Sequence, residues 1–158
     1  GKLYNHYAVA DSRGLCPTGW HVPTDGEWMT LENHLGGPSV AGGALKSTAT
    51  QPTLGGWNSP NTVATNSSGF KAIPGGKRFN HGIFDEVGHS AYSWSSSVTQ
   101  VDWAWNRILY FSSGGIFALE GQAQSLLMKT ADGRLDIFYR KWPVRGEEHH
   151  FQHALEIK

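Results

Sequence analysis

The chain has 158 residues, enough for one domain that buries about 68–70% of its unfolded surface. Thirteen Lys and Arg balance thirteen Asp and Glu, and a formal net charge of zero gives no electrostatic case for nucleic acid or an anionic membrane. Charged residues make up only 16%, with 20 Gly and 7 Trp, which suits a loop-rich extracellular or surface domain better than a helical cytosolic enzyme. Residues 3–10, LYNHYAVA, are rich in β-formers and predict a strand. The turn-rich DSRGLCPTGW follows, and then HVP, extended because Val22 precedes a proline. Thr24 stands three residues before Glu27, the spacing of a capping box. Trp28, Leu31 and Leu35 then recur at helical spacing, which predicts an amphipathic helix over 25–35. Gly36, Gly37 and Pro38 stop it. A short second helix fits 39–47, although Gly42 and Gly43 weaken it.

From 48 to 84 the chain is dominated by Gly, Pro, Ser, Thr and Asn, and no long periodic element fits. So long an irregular stretch points to function or to packing of its own. Strand-like segments follow at 90–97, 104–111, 114–120, 124–130 and 134–145, with ADGR as a hairpin turn between the last two. The tail, GEEHHFQHALEIK, reads as a short helix or a final strand. No tandem repeat and no linker interrupts the chain. The sequence therefore predicts one α+β domain over 1–158: two early helices, a long loop region and late antiparallel strands. No apolar run approaches the roughly 20 residues of a membrane helix. No signal peptide precedes Gly1, so the chain reads as a mature fragment or an expressed domain.

Several motifs in order resemble the Fibrobacter succinogenes major paralogous domain of bacterial secreted and surface proteins. They are LYNHYAVADSRGLCPTGWHVPTDGEWMTLENHLGG, AGGALKST, WNSPNTVATNSSGFKAIPGGKR, the GIF, VG and YSWSSS elements, and AWNRILYFSSGG, spanning about 3–115. The resemblance implies a C-type-lectin-like fold, related to the formylglycine-generating enzyme group: two helices packed on a small twisted antiparallel sheet, with long loops on one side. It also implies a closing segment like GFSVRCV. Here the nearest match is KWPVRGE, with Gly146 where the family has cysteine, and 146–158 stands apart as an atypical tail. Cys16 would then be half of a disulfide whose partner is absent.

Cys16 is the only cysteine, which rules out an internal disulfide framework and a Cys-rich zinc site. As a nucleophile it would need a base such as His21 and a lowered pKa. Trp28 belongs to the apolar face of the first long helix, and Trp20 reads as core beside it. Trp57, Trp94, Trp103 and Trp105 lie instead among small polar residues, a setting suited to sugar stacking. In VDWAWNR, Trp103 and Trp105 share one strand face while Asp102, Ala104 and Asn106 share the other. Asn58, Asn61, Asn106 and Arg107 would supply hydrogen bonds beside the rings. The WNSPN and DWAWN segments look like calcium-lectin loops, but Asn58, Asn61, Asp102 and Asn106 bring only one carboxylate. No calcium, other metal or cofactor is expected there. His149, His150 and His153 have helical metal-ligand spacing, or belong simply to a solvated terminal segment.

The expected function is a non-catalytic recognition module, extracellular or on the bacterial cell surface and part of a larger surface protein. Its partner is a glycan or a cell-surface protein, and it neither binds nucleic acid nor inserts into a membrane. The binding face would comprise about 57–84 and 95–106. The alternative is a structural or assembly module with no small ligand. An enzyme ranks third, because no catalytic constellation stands out.

Overall fold

The computed structural model describes residues 3–123 and, beyond them, the strand Tyr139–Arg140. It is a mixed α+β structure with few helices and antiparallel sheets. Three helices come first: α1 (His6–Val9), α2 (Asp25–His34) and α3 (Pro38–Leu45), with β1 (Trp20–His21) between α1 and α2. The strands β2 (Gly75–Arg78), β3 (Phe84–Val87), β4 (Ser90–Gln100), β5 (Trp103–Tyr110), β6 (Ile116–Gln122) and β7 (Tyr139–Arg140) follow. They form three antiparallel sheets, ordered β1–β7, β2–β3 and β4–β5–β6.

The predicted capping box is formed. Thr24 Oγ1 accepts from the Glu27 amide at 3.2 Å, and Glu27 Oε2 accepts from the Thr24 amide at 2.8 Å. Together they satisfy two donors that a helix start leaves orphaned. Trp28 is buried, Leu31 and Leu35 pack beside it, and the Trp28 indole donates to the Trp94 carbonyl of β4. The core cluster joins Trp28 to Ala41, Leu45, Trp57, Ala91, Leu109 and Ile116, drawing on α2, α3, the loop region and all three strands of the main sheet.

Residues 3–10 do not form the expected strand. Asn5 caps a single helical turn by accepting from the Ala8 amide at 3.0 Å, and a local cap outweighs weak β propensity. The second helix ends at Leu45 rather than residue 47. Its glycines are required by packing: a Cβ on Gly42 would lie 2.0 Å from the Gly115 carbonyl oxygen, and one on Gly43 would lie 2.5 Å from that of Val63. The helix thus meets its neighbours main chain to main chain, which only glycine allows.

The 48–84 region contains β2 and the start of β3, neither of which the sequence suggested, and the β2 residues GGKR carry no β-formers. Its register with β3 pairs Lys77 with Asp85 and Arg78 with Phe84. In the main sheet, the register sets Trp105 opposite Glu120 and Trp103 opposite Gln122. The predicted strand 124–130, the ADGR turn, the tail and its histidines lie outside the described residues, as does 134–145 apart from β7. No described helix is long and apolar enough to cross a membrane.

Candidate functional site

The eight sequence-predicted site residues do not form one face. Trp57 is fully buried, and its indole donates to the Ala72 carbonyl at 3.1 Å. Trp94 is buried under α1, where its indole donates to the Tyr4 carbonyl and the His6 ring meets it edge-on at 5.2 Å. These two tryptophans are core, and the expectation that they stack on a ligand is corrected. Small polar neighbours misled that reading, because in a twisted antiparallel sheet they also pack closely around a buried indole. Asn61 is buried and donates to the Ser47 carbonyl at 3.0 Å. Asn106 is buried on the opposite face of β5 from Trp105.

Arg107 is buried as well. It faces Glu32 of α2, which its Nε contacts, and Asp25, whose Oδ1 lies 2.7 Å from Nη1. It joins helix to sheet and is not free to hold a sugar. Glu32 follows Trp28 by four residues and therefore shares its buried face. A carboxylate on that apolar face, with an arginine mid-strand, was the signal for this pair. Trp103 and Trp105 remain half-buried on one face of β5, as the alternation predicts. Trp20, expected in the core, is half-buried in β1.

Asn58, one of the eight, lines a cleft. The cavity has a volume of about 500 Å3 and is walled by Asn58, Phe84, Asp85, Glu86, Val87 and His89. Its geometry follows from the local chain. The Asn58 amide donates to the Gly88 carbonyl at 2.7 Å. A Cβ on Gly88 would fall 2.6 Å from Asn58 Oδ1, so glycine there lets the Asn58 side chain lie against the β3–β4 turn. Glu86 adopts a left-handed φ of 64°, a conformation that costs a non-glycine residue energy and needs support from its surroundings.

That support is visible. Lys77 Nζ lies 2.7 Å from Glu86 Oε1, the Tyr92 hydroxyl donates to Oε2 at 2.5 Å, and Lys77 also donates to the Tyr92 hydroxyl at 3.0 Å. Burial pushes the Glu86 carboxyl up, but the bonds from Lys77, Tyr92 and Ser90 outweigh it and hold it below the ordinary value. Burial, and then the Glu86 charge, pushes the Tyr92 phenol strongly up, so Tyr92 stays a donor. This triad holds Glu86, one of the cleft-lining residues, in place. Nearer solvent, the Phe84 ring is 64% exposed and Asp85 is exposed beside it. His89 packs on the Phe111 ring at 4.7 Å, with Nδ1 2.9 Å from Ser90 Oγ. The sequence reading placed Asn58 and Phe84 on the binding face but missed 85–89, because the cleft depends on a turn and an unusual φ rather than on a motif.

The family described as the Fibrobacter succinogenes major domain matches residues 1–145. The chain belongs to that family. The match extends well past the residues that carried the resemblance and takes in β7. No curated protein and no solved structure matches the chain. In this major domain Cys16 is a half-buried free thiol, pushed up to about 11 by burial, so it is protonated at neutral pH and a poor nucleophile. His21 Nε2 lies 3.0 Å from both Glu27 carboxyl oxygens. Of the residues read against calcium loops, Asp102 is exposed and accepts from Tyr7, whereas Asn61 and Asn106 are interior. Among the described residues of this major domain, no group of three His, Cys, Asp or Glu is placed to hold a metal ion.

Proposed function

We propose that the domain is a non-catalytic recognition module with a C-type-lectin-like arrangement. In this reading it binds a glycan in the Asn58–Phe84–His89 cleft, outside the cell or on the bacterial surface. One observation carries the reading: an exposed aromatic ring, Phe84, borders an open cavity that Asn58, Asp85 and His89 also line. A sugar presents an apolar ring face and a rim of hydroxyls, and this lining matches both. Glu86 is committed to Lys77 and Tyr92, so it shapes the cleft rather than acting on a ligand.

One stacking face and a few hydrogen bonds yield weak binding, with a Kd of ~0.01–1 mM, or about 4–7 kcal/mol. Many copies on a surface would raise the avidity. Calorimetric or NMR titration with a panel of neutral, acidic and amino oligosaccharides tests the proposal. The expected result is saturable binding that Phe84→Ala and Asn58→Ala each weaken about tenfold or more. Phe84→Ala should shift stability by less than about 0.5 kcal/mol, because its ring is exposed. A flat response across the panel would leave the second reading: an assembly module of a bacterial surface protein or filament. That reading draws on the β4–β5 hairpin, where Val98 is 66% and Val101 87% exposed.

A further inference from the structure

Lys46 follows α3 directly and has no exposed surface. Its ammonium donates to three main-chain carbonyls: Thr62 at 2.9 Å, Tyr110 at 3.1 Å and Ser113 at 2.7 Å. It also sits 5.5 Å from the centre of the Trp57 ring. An ammonium has three N–H donors, so these carbonyls saturate it. Among the described residues no carboxylate lies within ion-pair distance of Nζ. Of the titratable groups in the neighbouring segments, Tyr110 offers Lys46 its carbonyl, His89 rests on the Tyr110 and Phe111 rings, and Glu86 pairs with Lys77.

The three carbonyls lie beside the cleft lining rather than in it, and main-chain bonds connect them to it. Thr62 ends the stretch that begins at Asn58, and its amide donates to the Phe111 carbonyl. The Phe111 amide donates to the His89 carbonyl. We propose that Lys46 is an internal, proton-dependent latch: its ammonium ties the 58–62 loop to the 110–113 turn, and loss of one proton removes one tie and loosens the cleft wall. A neutral amine keeps two N–H donors for three carbonyls. The tie to Tyr110 is the longest, and that carbonyl already accepts from the Ser113 amide, so it is the one released.

Burial lowers the Lys46 pKa from 10.5 to about 8, which places the transition just above neutrality. Global stability moves the other way. Between pH 8 and 10.5 the unfolded chain holds this proton more tightly than the folded one, so the Lys46 contribution to stability rises with pH while the loop loosens. Opposite signs for loop order and global stability distinguish a latch from a plain structural lysine.

The test is an NMR pH titration of the full chain from 6.5 to 9.5. It follows the Lys46 ε-methylene carbon, the Trp57 indole and the Thr62 methyl. The expected result is a Lys46 step near pH 8, mirrored at Trp57 and Thr62 and absent at both in Lys46→Met. If that variant does not fold, the wild-type titration alone decides. A Lys46 carbon that titrates with the surface lysines overturns the proposal. So does a step near 8 that leaves Thr62 unmoved. The consequence for binding rests on the glycan reading: affinity should fall about threefold to tenfold across the same step, the loss expected for one hydrogen bond. Loop movement without any glycan binding would retire that reading and keep the latch.

Discussion

Beneath α2, Trp28 and its neighbours close an apolar interface on the main sheet, and one buried arginine between two carboxylates fixes its register. Between α3 and β4 little apolar surface is buried apart from Trp57, and the chain is held by Lys46, by main-chain bonds and by the Lys77–Glu86–Tyr92 triad. The first region depends on volume, which many side chains share. The second depends on single polar anchors, each with no substitute. Damage to the first should therefore unfold the molecule, whereas damage to the second should loosen it locally.

The largest effect should come from Trp28→Ala, which empties the centre of the helix–sheet interface. We expect a loss of roughly 3–5 kcal/mol in denaturant melts. A loss below about 1 kcal/mol would mean that α2 is not packed through Trp28. Next is Arg107→Met, which leaves Glu32 buried with its charge partner gone. The expected cost is about 3 kcal/mol, because an unpaired buried charge is worse than no pair. The double variant Arg107→Met with Glu32→Leu should recover a good part of it. No recovery would show that the arginine acts by packing alone.

The smallest effect concerns α1 on the main sheet, where the His6 ring meets Trp94 edge-on and its Nε2–H donates to the Ser95 carbonyl. Burial lowers the His6 pKa below 6.5. The unfolded chain therefore takes up this proton first as the solution is acidified. The His6 contribution is complete above pH 6.5 and is lost as pH falls through the lowered value. Comparing His6→Gln with the wild type over pH 7 to 5 should show a shallower decline in the variant. Parallel curves would remove His6 from the acid response.

The same division decides how much could be read in advance. The cap of α2, its apolar stripe and the three strands of the main sheet follow from residue spacing, and the structure places them within a few residues. Alternation also assigned Trp103 and Trp105 to a common face of β5. Spacing said nothing about Lys46 or Glu86, whose roles depend on carbonyls and a phenol far away in sequence. It misassigned Trp57, Trp94 and Arg107 because a large side chain among serines and asparagines looks the same whether it is exposed or buried. Only tertiary packing separates the two.

The three carbonyls that Lys46 grips come from Thr62, Tyr110 and Ser113, and none of those residues contributes a side-chain atom to the grip. The glycines of α3 likewise meet bare main chain. Such a fastening does not inspect the sequence it holds. The outer positions of the 58–62 loop can therefore vary while its path stays the same, provided that Lys46, Gly42 and Gly43 are kept.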